Sequence, residues 1–289
     1  MRRLYAAIVS IFILCTAAHA QDFGSVEKIF ERKGEFKGQV FKVSFPRTDL
    51  KVELDGMKLD PEFALVSWAG YMPDEGQTAV MGDLCLTEAE EPKAVEQMMK
   101  NGFDITAIHQ HMMTEKPRII FVHYAAKGDP VRISEKLKQV LQQTATPIAD
   151  LKPDEAPKAQ WNDVEAVLGG GGERVGRVLK MSFPRPERIS MNGMDVPPAM
   201  GSASEVKFQR DGDEAALNAE LVLMAKEVNP VMRSLSANNI KVAALHSHML
   251  NENPRLFYMH AFGKGNPSDL ARAIKEALAF AGRPINAGK

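Results

Sequence analysis

His109-Gln-His-Met-Met-Thr-Glu-Lys-Pro-Arg118 returns, 137 positions later, as His246-Ser-His-Met-Leu-Asn-Glu-Asn-Pro-Arg255. From His109 to Pro130 the chain aligns without a gap against His246 to Pro267, and 10 of those 22 positions are identical. Upstream, Lys42-Val-Ser-Phe-Pro-Arg47 recurs as Lys180-Met-Ser-Phe-Pro-Arg185, Gly34-Glu35 as Gly172-Glu173, and Val26-Glu27 as Val164-Glu165. This period is far longer than the roughly 20–50 residues of a solenoid repeat, so the chain reads as a tandem duplication of a whole domain. Between the copies, Thr144 to Gln160 carries Pro147, Pro153 and Pro157 among charged residues, which is linker composition. The expected division is a first repeat domain over 21–143 and a second over 161–289.

The first 20 residues stand apart. Arg2 and Arg3 precede a mostly apolar stretch from Leu4 to Cys15, and Ala18-His19-Ala20 fits the small-x-small cleavage rule. That pattern predicts a cleaved export signal over 1–20, with a periplasmic or secreted destination, rather than a membrane anchor. Of 289 residues, removing 20 leaves 269, and the charge moves from −1 (36 − 37) to −3 (34 − 37). Such a slightly acidic chain has no broad basic surface for phosphates, which argues against nucleic acid as a partner. Nothing after the signal reads as a transmembrane segment. Cys85 is then the sole cysteine, which excludes an internal disulfide and a four-cysteine zinc site. It sits in an apolar strand and reads as an inert buried thiol.

Each copy predicts a mixed α+β domain: several strands, a helix, a hairpin and a closing helix. The strands are expected over 36–45, 63–71 and 78–86, matched by 174–183, 204–209 and 215–224. Helices are expected over 91–100 and 229–237, the first with Val95, Met98 and Met99 spaced for one face, then over 130–143 and 266–280. The hairpins run from 103 to 126 and from 240 to 262. This order implies two homologous domains, each a largely antiparallel sheet with two main helices packed on it.

All six histidines beyond the signal fall in the hairpins, three per copy in one spacing: His109, His111 and His123, then His246, His248 and His260. On a strand His109 and His111 share a face. A turn near Glu115–Lys116 makes paired residue numbers sum to about 231 or 232, setting His123 opposite or adjacent to His109. Three imidazoles per copy then suit a transition metal, with Zn, Fe or Cu favoured by imidazole donors. Glu115 and Glu252, four residues past each second histidine, are the candidate proton acceptors if such a metal serves catalysis. His-x-His-x3-Glu echoes the ligand run of cupin barrels, but the cupin glycine pattern is absent. Arg118 and Arg255 are candidate ligand-binding cations for an anionic group, with hairpin capping as the alternative. The same histidines also fit a hydrogen-bonded network knitting sheet to helix, because duplication copies a structural histidine as faithfully as a catalytic one. Gly169 to Gly172 lacks the Lys-Ser/Thr of a phosphate loop and reads as a turn.

The residues assembled so far resemble the LppY/LpqO family of secreted bacterial proteins, a domain of unknown function. The likeness rests on both Lys-x-Ser-Phe-Pro-Arg motifs, on Asn192-Gly-Met-Asp-Val-Pro-Pro-Ala-Met-Gly201, on Glu227-Val-Asn-Pro230, and on both histidine blocks. The resemblance implies an exported protein with two related domains and brings no established reaction. The family's Gly-Asp, here Gly82-Asp83, is replaced by Ala219-Glu220 in the second copy. Three functional readings follow: an exported binder of a metal ion or small ligand, a metal-dependent hydrolase or oxidoreductase, and a cell-envelope interaction module with structural histidines.

Overall fold

The structure is a computed structural model that describes residues 23–150 and 158–283. The expected signal over 1–20 and the middle of the linker lie outside the described residues. In the first half the elements are α1 (Gly24–Phe30), β1 (Glu35–Lys37), β2 (Val40–Pro46), β3 (Glu53–Leu54), β4 (Met57–Lys58), α2 (Pro61–Ala64), β5 (Val66–Asp74), β6 (Gln77–Thr87), α3 (Glu91–Lys100), β7 (Asp104–His109), β8 (Ile119–Gly128) and α4 (Pro130–Leu141). The second half repeats them as α5 (Asn162–Leu168), β9 (Glu173–Val175), β10 (Val178–Pro184), β11 (Ser190–Met191), β12 (Met194–Asp195), β13 (Ala203–Asp211), β14 (Glu214–Leu223), α6 (Ala225–Ala237), β15 (Lys241–His246), β16 (Glu252–Asn253), β17 (Phe257–Gly265) and α7 (Pro267–Phe280).

Each half builds one antiparallel six-stranded sheet, in the order β1-β2-β5-β6-β8-β7 and β9-β10-β13-β14-β17-β15. The fold is therefore mixed α+β in two related copies, as the strand–helix order of the sequence predicts. Alternation along the central strands sets the layers. Val80, Leu84, Leu86, Val122 and Tyr124 point to the helical side and form a core with α1, α3 and α4. Leu217, Ala219, Leu221, Met259 and Ala261 do the same with α5, α6 and α7. The opposite faces meet each other. Cys85, Ile119 and Phe121 pack with Val178, Ala216 and Phe262, and Met72, Ala79 and Met81 with Val222, Leu256 and Tyr258. Two sheets thus stack face to face with helices outside, and each central strand is buried on both sides. The strip between those two apolar patches is polar.

Local chemistry explains the elements. Pro130 and Pro267 open α4 and α7, where a missing N–H costs nothing, and Asp129 and Asn266 cap them through Arg132 N and through Ser268 and Asp269 N. Helix α6 starts four residues before the expected Asn229 and carries Pro230 in its interior. On α3 Ala94 and Met98 are buried and Val95 is partly so, whereas Met99 is 60% exposed, so the inward stripe excludes it. The short helices α1 and α5 escaped the sequence reading because each offers little more than two apolar residues, Val26 and Phe30 or Val164 and Leu168, to the core.

The Phe-Pro-Arg motifs serve the fold. Arg47 is fully buried; it donates to Cys85 O and pairs with Asp49 and Glu90 through both edges of its guanidinium. Arg185 repeats the arrangement with Val222 O, Glu187 and Glu227. Each arginine ties the end of the second strand to the start of the following helix. The linker is anchored on its near side, where Arg32 donates to the carbonyls of Pro147, Ile148 and Ala149. Cross-half ties complete the stack: Arg177 with Asp60, Lys180 with Glu62, and buried Gln209 with Lys58 O and Asp60 N.

Candidate metal centre

The six imidazoles form one cluster between the two sheets. His123 stands on β8 and His260 on β17, both on the faces that meet, while His109 and His246 end β7 and β15. Neither hairpin has the register expected from sequence. Ala107 lies opposite His123 and His109 opposite Phe121, so paired numbers sum to 230, and a bulge between Ile105 and Ala107 shifts the ladder. The second copy repeats the pattern with Ala244 opposite His260 and His246 opposite Tyr258. His123 is therefore diagonal to His109. His111 and His248 lie beyond their strands, in the connecting segments, and turn back to stack on Phe121 (3.4 Å between ring centroids) and Tyr258 (3.8 Å). Gly201, with φ +98°, brings backbone against His248: a Cβ there would lie 3.2 Å from Nδ1.

Three imidazoles per copy become six around one locus because the halves interleave. Ring centroids are 3.9 Å apart for His109 and His246, 3.9 Å for His111 and His260, and 3.6 Å for His123 and His248. Every one of these close pairs joins the first half to the second. Nε2 of His111 lies 3.1 Å from Nε2 of His109. The carboxylates of the cluster are Asp83 and Glu220, which occupy one position of the repeat, opposite Trp68 and Glu205 on the neighbouring strands. Asp83 Oδ2 is 3.8 Å from His111 Nε2 and Oδ1 is 3.8 Å from His123 Nδ1. Glu220 Oε1 is 3.6 Å from His248 Nε2 and Oε2 is 3.4 Å from His260 Nε2. The second copy therefore keeps the acid of the Gly-Asp pair, lengthened by one methylene. Its Ala219 is also accounted for. A Cβ on Gly82 would collide at 2.3 Å with both Tyr124 Oη and the backbone Trp68 O, whereas opposite Ala219 the second copy has the small Ala261 in place of the tyrosine.

Glu115 and Glu252, the carboxylates singled out from sequence, do not join the cluster. Their Oε1 atoms accept the backbone N–H of Ile119 and Leu256 and fasten the starts of β8 and β17. The connecting segment leaves β7 at His109, and by residue 115 it has already turned back toward the hairpin. Arg118 pairs with Glu88, and Arg255 reaches Leu250 O, Ser247 Oγ and Glu252. Arg255 thus caps its hairpin, Arg118 ties the start of β8 to the end of β6, and neither lines the cavity described below.

Burial sets the electrostatics. Desolvation holds all six imidazoles below their ordinary range, His246 at about 4, and the neighbouring rings add to this for His109, His111, His123, His248 and His260. Desolvation raises Asp83 well above the carboxylate range and Glu220 to about 8, with Glu220 acting on the first and Glu205 on the second. The locus is thus a set of neutral rings and protonated acids. Seven of its ring nitrogens are buried with no hydrogen-bond partner: His109 Nδ1, His123 Nε2, His248 Nε2 and both nitrogens of His246 and His260. Four groupings bring one donor atom from each of three residues within 4.8 Å of one another: His109/His123/His246, His109/His111/His260, His246/His248/His260 and His123/Glu220/His248.

A cavity of about 850 Å³ leads to the cluster between the sheets, reaching Asp83, His111, His123, Glu220 and His248 at its inner end. Lys42, Lys180, Lys207, Trp68 and Glu205 line its flanks. Lys42 lies 3.9 Å from the centre of the Trp68 ring, and burial lowers its ammonium to about 8.

No curated protein matches this sequence. Among solved structures, EtuB from Clostridium kluyveri is similar at 13% identity over 86% of this chain and 91% of its own, with a TM-score of 0.20. Crystal form I of TP0453 is similar at 10% identity over 75% and 81%, with a TM-score of 0.19. At those scores neither likeness carries an argument about fold or site. Residues 24–143 and 162–280 each match one family model, so the chain belongs, as two tandem copies, to the family described as Domain of Unknown Function (DUF1259).

Proposed function

We propose that this chain is an exported protein that binds a transition metal, zinc, iron or copper, in the imidazole cluster between its sheets. The observation that carries the reading is the set of seven buried, unpartnered ring nitrogens. Each buried polar group left without a partner costs about 1–3 kcal/mol. A cation takes one nitrogen of each ring it binds and so gives that lone pair a partner. Neutral imidazole is the ligating form, and burial already enforces it.

The cavity favours a second reading, a metal-dependent enzyme, because it gives a small molecule access to His111, His123 and His248. A bound ion supplies Lewis acidity there and lowers the pKa of bound water. Asp83 and Glu220 then replace Glu115 and Glu252 as the carboxyls placed to exchange protons with what the cavity admits. Export rests on the Met1–Ala20 pattern, and the finer LppY/LpqO membership on the motifs quoted above. Elemental analysis of protein purified without a histidine tag tests the reading. Stoichiometric metal, or a melting temperature raised by added zinc after chelation, is the expected result. Metal-free protein whose melting temperature ignores zinc, iron and copper refutes it.

A further inference from the structure

The donors of the cluster are too many for one ion. Six imidazoles and two carboxylates make eight side chains, whereas imidazole-rich transition-metal sites use about four to six ligands. Among the groupings with donor atoms within 4.8 Å, one pair shares no residue: His109/His111/His260 and His123/Glu220/His248. Each member of that pair draws on both halves of the chain. The other two groupings, both containing His246, take residues from each of these triads, as closely spaced sites require.

We infer that the cluster is a dinuclear centre, with one ion held by His109, His111 and His260 and the other by His123, His248 and Glu220. The inference rests on the metal-binding reading above and deepens it. The 3.1 Å between Nε2 of His109 and Nε2 of His111 fits two ligands on one ion, since bonds of about 2.0–2.1 Å at a tetrahedral angle set nitrogens about 3.3–3.4 Å apart. Glu220 faces both sites, with Oε1 3.6 Å from His248 Nε2 and Oε2 3.4 Å from His260 Nε2. Both of those nitrogens lack a partner. A carboxylate so placed bridges two cations, as in centres whose ions sit about 3.5–4 Å apart. Asp83 stands between the same sets, beside His111 and His123.

Cobalt(II) is the probe. Full-length chelator-treated protein is titrated with Co(II), followed by its visible absorption and by electron paramagnetic resonance, and zinc content is measured after reloading and dialysis. Two equivalents with exchange coupling between the cobalt ions is the expected result. His111→Ala and His248→Ala should each drop the count from two to one, with folding checked by circular dichroism. Glu220→Gln, which keeps the volume, should weaken both binding steps rather than one. A break at one equivalent, two uncoupled ions, or loss of all metal on either histidine substitution overturns the dinuclear centre while leaving metal binding intact. No metal at all overturns the reading beneath it.

Discussion

Acidification of the metal-free protein puts the buried cluster under a load that can be worked out in advance. All six imidazoles are held below the ordinary value of 6.5 in the folded state. As pH falls through about 6.5 the unfolded chain takes up six protons that the folded chain refuses. Stability is therefore lost below pH 6.5, by up to about 1.4 kcal/mol per pH unit for each ring. Asp83 and Glu220 act with the opposite sign. Their folded values are raised, Glu220 to about 8 and Asp83 well above the carboxylate range, so over the acidic range the folded state holds up to two protons the unfolded chain has lost.

From pH 6.5 down to about 4.5 the cluster's net difference is thus at least six minus two, four protons, or about 5 kcal/mol per pH unit at full effect. Above pH 6.5 the raised acids, Glu220 foremost, set the slope, and stability falls toward pH 8 instead. The expected profile peaks near pH 6.5, and a domain stability of about 5–15 kcal/mol disappears within about one to three units of acidification. Urea unfolding of chelator-treated protein at pH 7.5, 6.5, 5.5 and 5.0, followed by circular dichroism, measures this directly. His246→Asn should remove one proton's worth of slope, about 1.4 kcal/mol per pH unit. Stability that is flat or rising from pH 6.5 to 5.0, or a slope indifferent to His246, refutes the neutral buried cluster.

The fold makes two further predictions. Arg47→Met and Arg185→Met each strand two carboxylates around a deeply buried site, Asp49 and Glu90 or Glu187 and Glu227, so each should cost about 3–5 kcal/mol in chemical unfolding. Equal stability of either variant with the wild type removes the strand-to-helix clamp assigned to Phe-Pro-Arg. Gly82→Ala should destabilise by at least about 1–3 kcal/mol, because a Cβ there meets both Tyr124 Oη and the backbone Trp68 O, and Gly82→Ala with Tyr124→Ala, which removes the side-chain part of that clash and recreates the Ala219–Ala261 pair, should cost less than the two single changes summed. Strict additivity in that double-mutant cycle defeats the account of how the copies diverged at this position.

Much of this was legible because it is local. Period and motif gave the duplication, and the alternation of β6, β8, β14 and β17 with the capped helices α4 and α7 gave the α+β class. The six histidines singled out from the sequence lie in one cluster, but their partners were not legible. Which face of one sheet meets which face of the other is a non-local fact, so three rings per copy gave no sign that His109 packs on His246. Hairpin register failed for a similar reason: the bulge at Ile105 leaves no mark in the sequence. The cluster carboxylates did leave one. Asp83 and Glu220 are the single charged residues inside otherwise uncharged runs, Ala79 to Leu86 and Ala215 to Met224, at the same position of each copy. A charge that interrupts a buried strand twice is a stronger signal than a glutamate at metal-ligand spacing in a turn.

The same comparison shows where the copies stopped being equal. Around the imidazoles every position is matched: His109 with His246, His111 with His248, His123 with His260, Asp83 with Glu220, and the stacked Phe121 with Tyr258. On the cavity flanks Lys42 and Lys180 are matched, but Trp68 faces Glu205 across the repeat, Gly70 corresponds to Lys207, and Met81 to Asn218. Lys180 and Lys207 lie directly opposite on neighbouring strands, an arrangement that costs energy unless it is compensated. Glu62 pairs with Lys180, whereas Lys207 makes no ion pair among the described residues. Divergence is thus concentrated on the approach, and in the cluster it is confined to one methylene (Asp83 to Glu220) and one hydroxyl (Phe121 to Tyr258). A scaffold needs neither distinction. A symmetric centre reached from one side by an asymmetric molecule needs both, which favours reading the cavity as a binding site and the histidines as its floor.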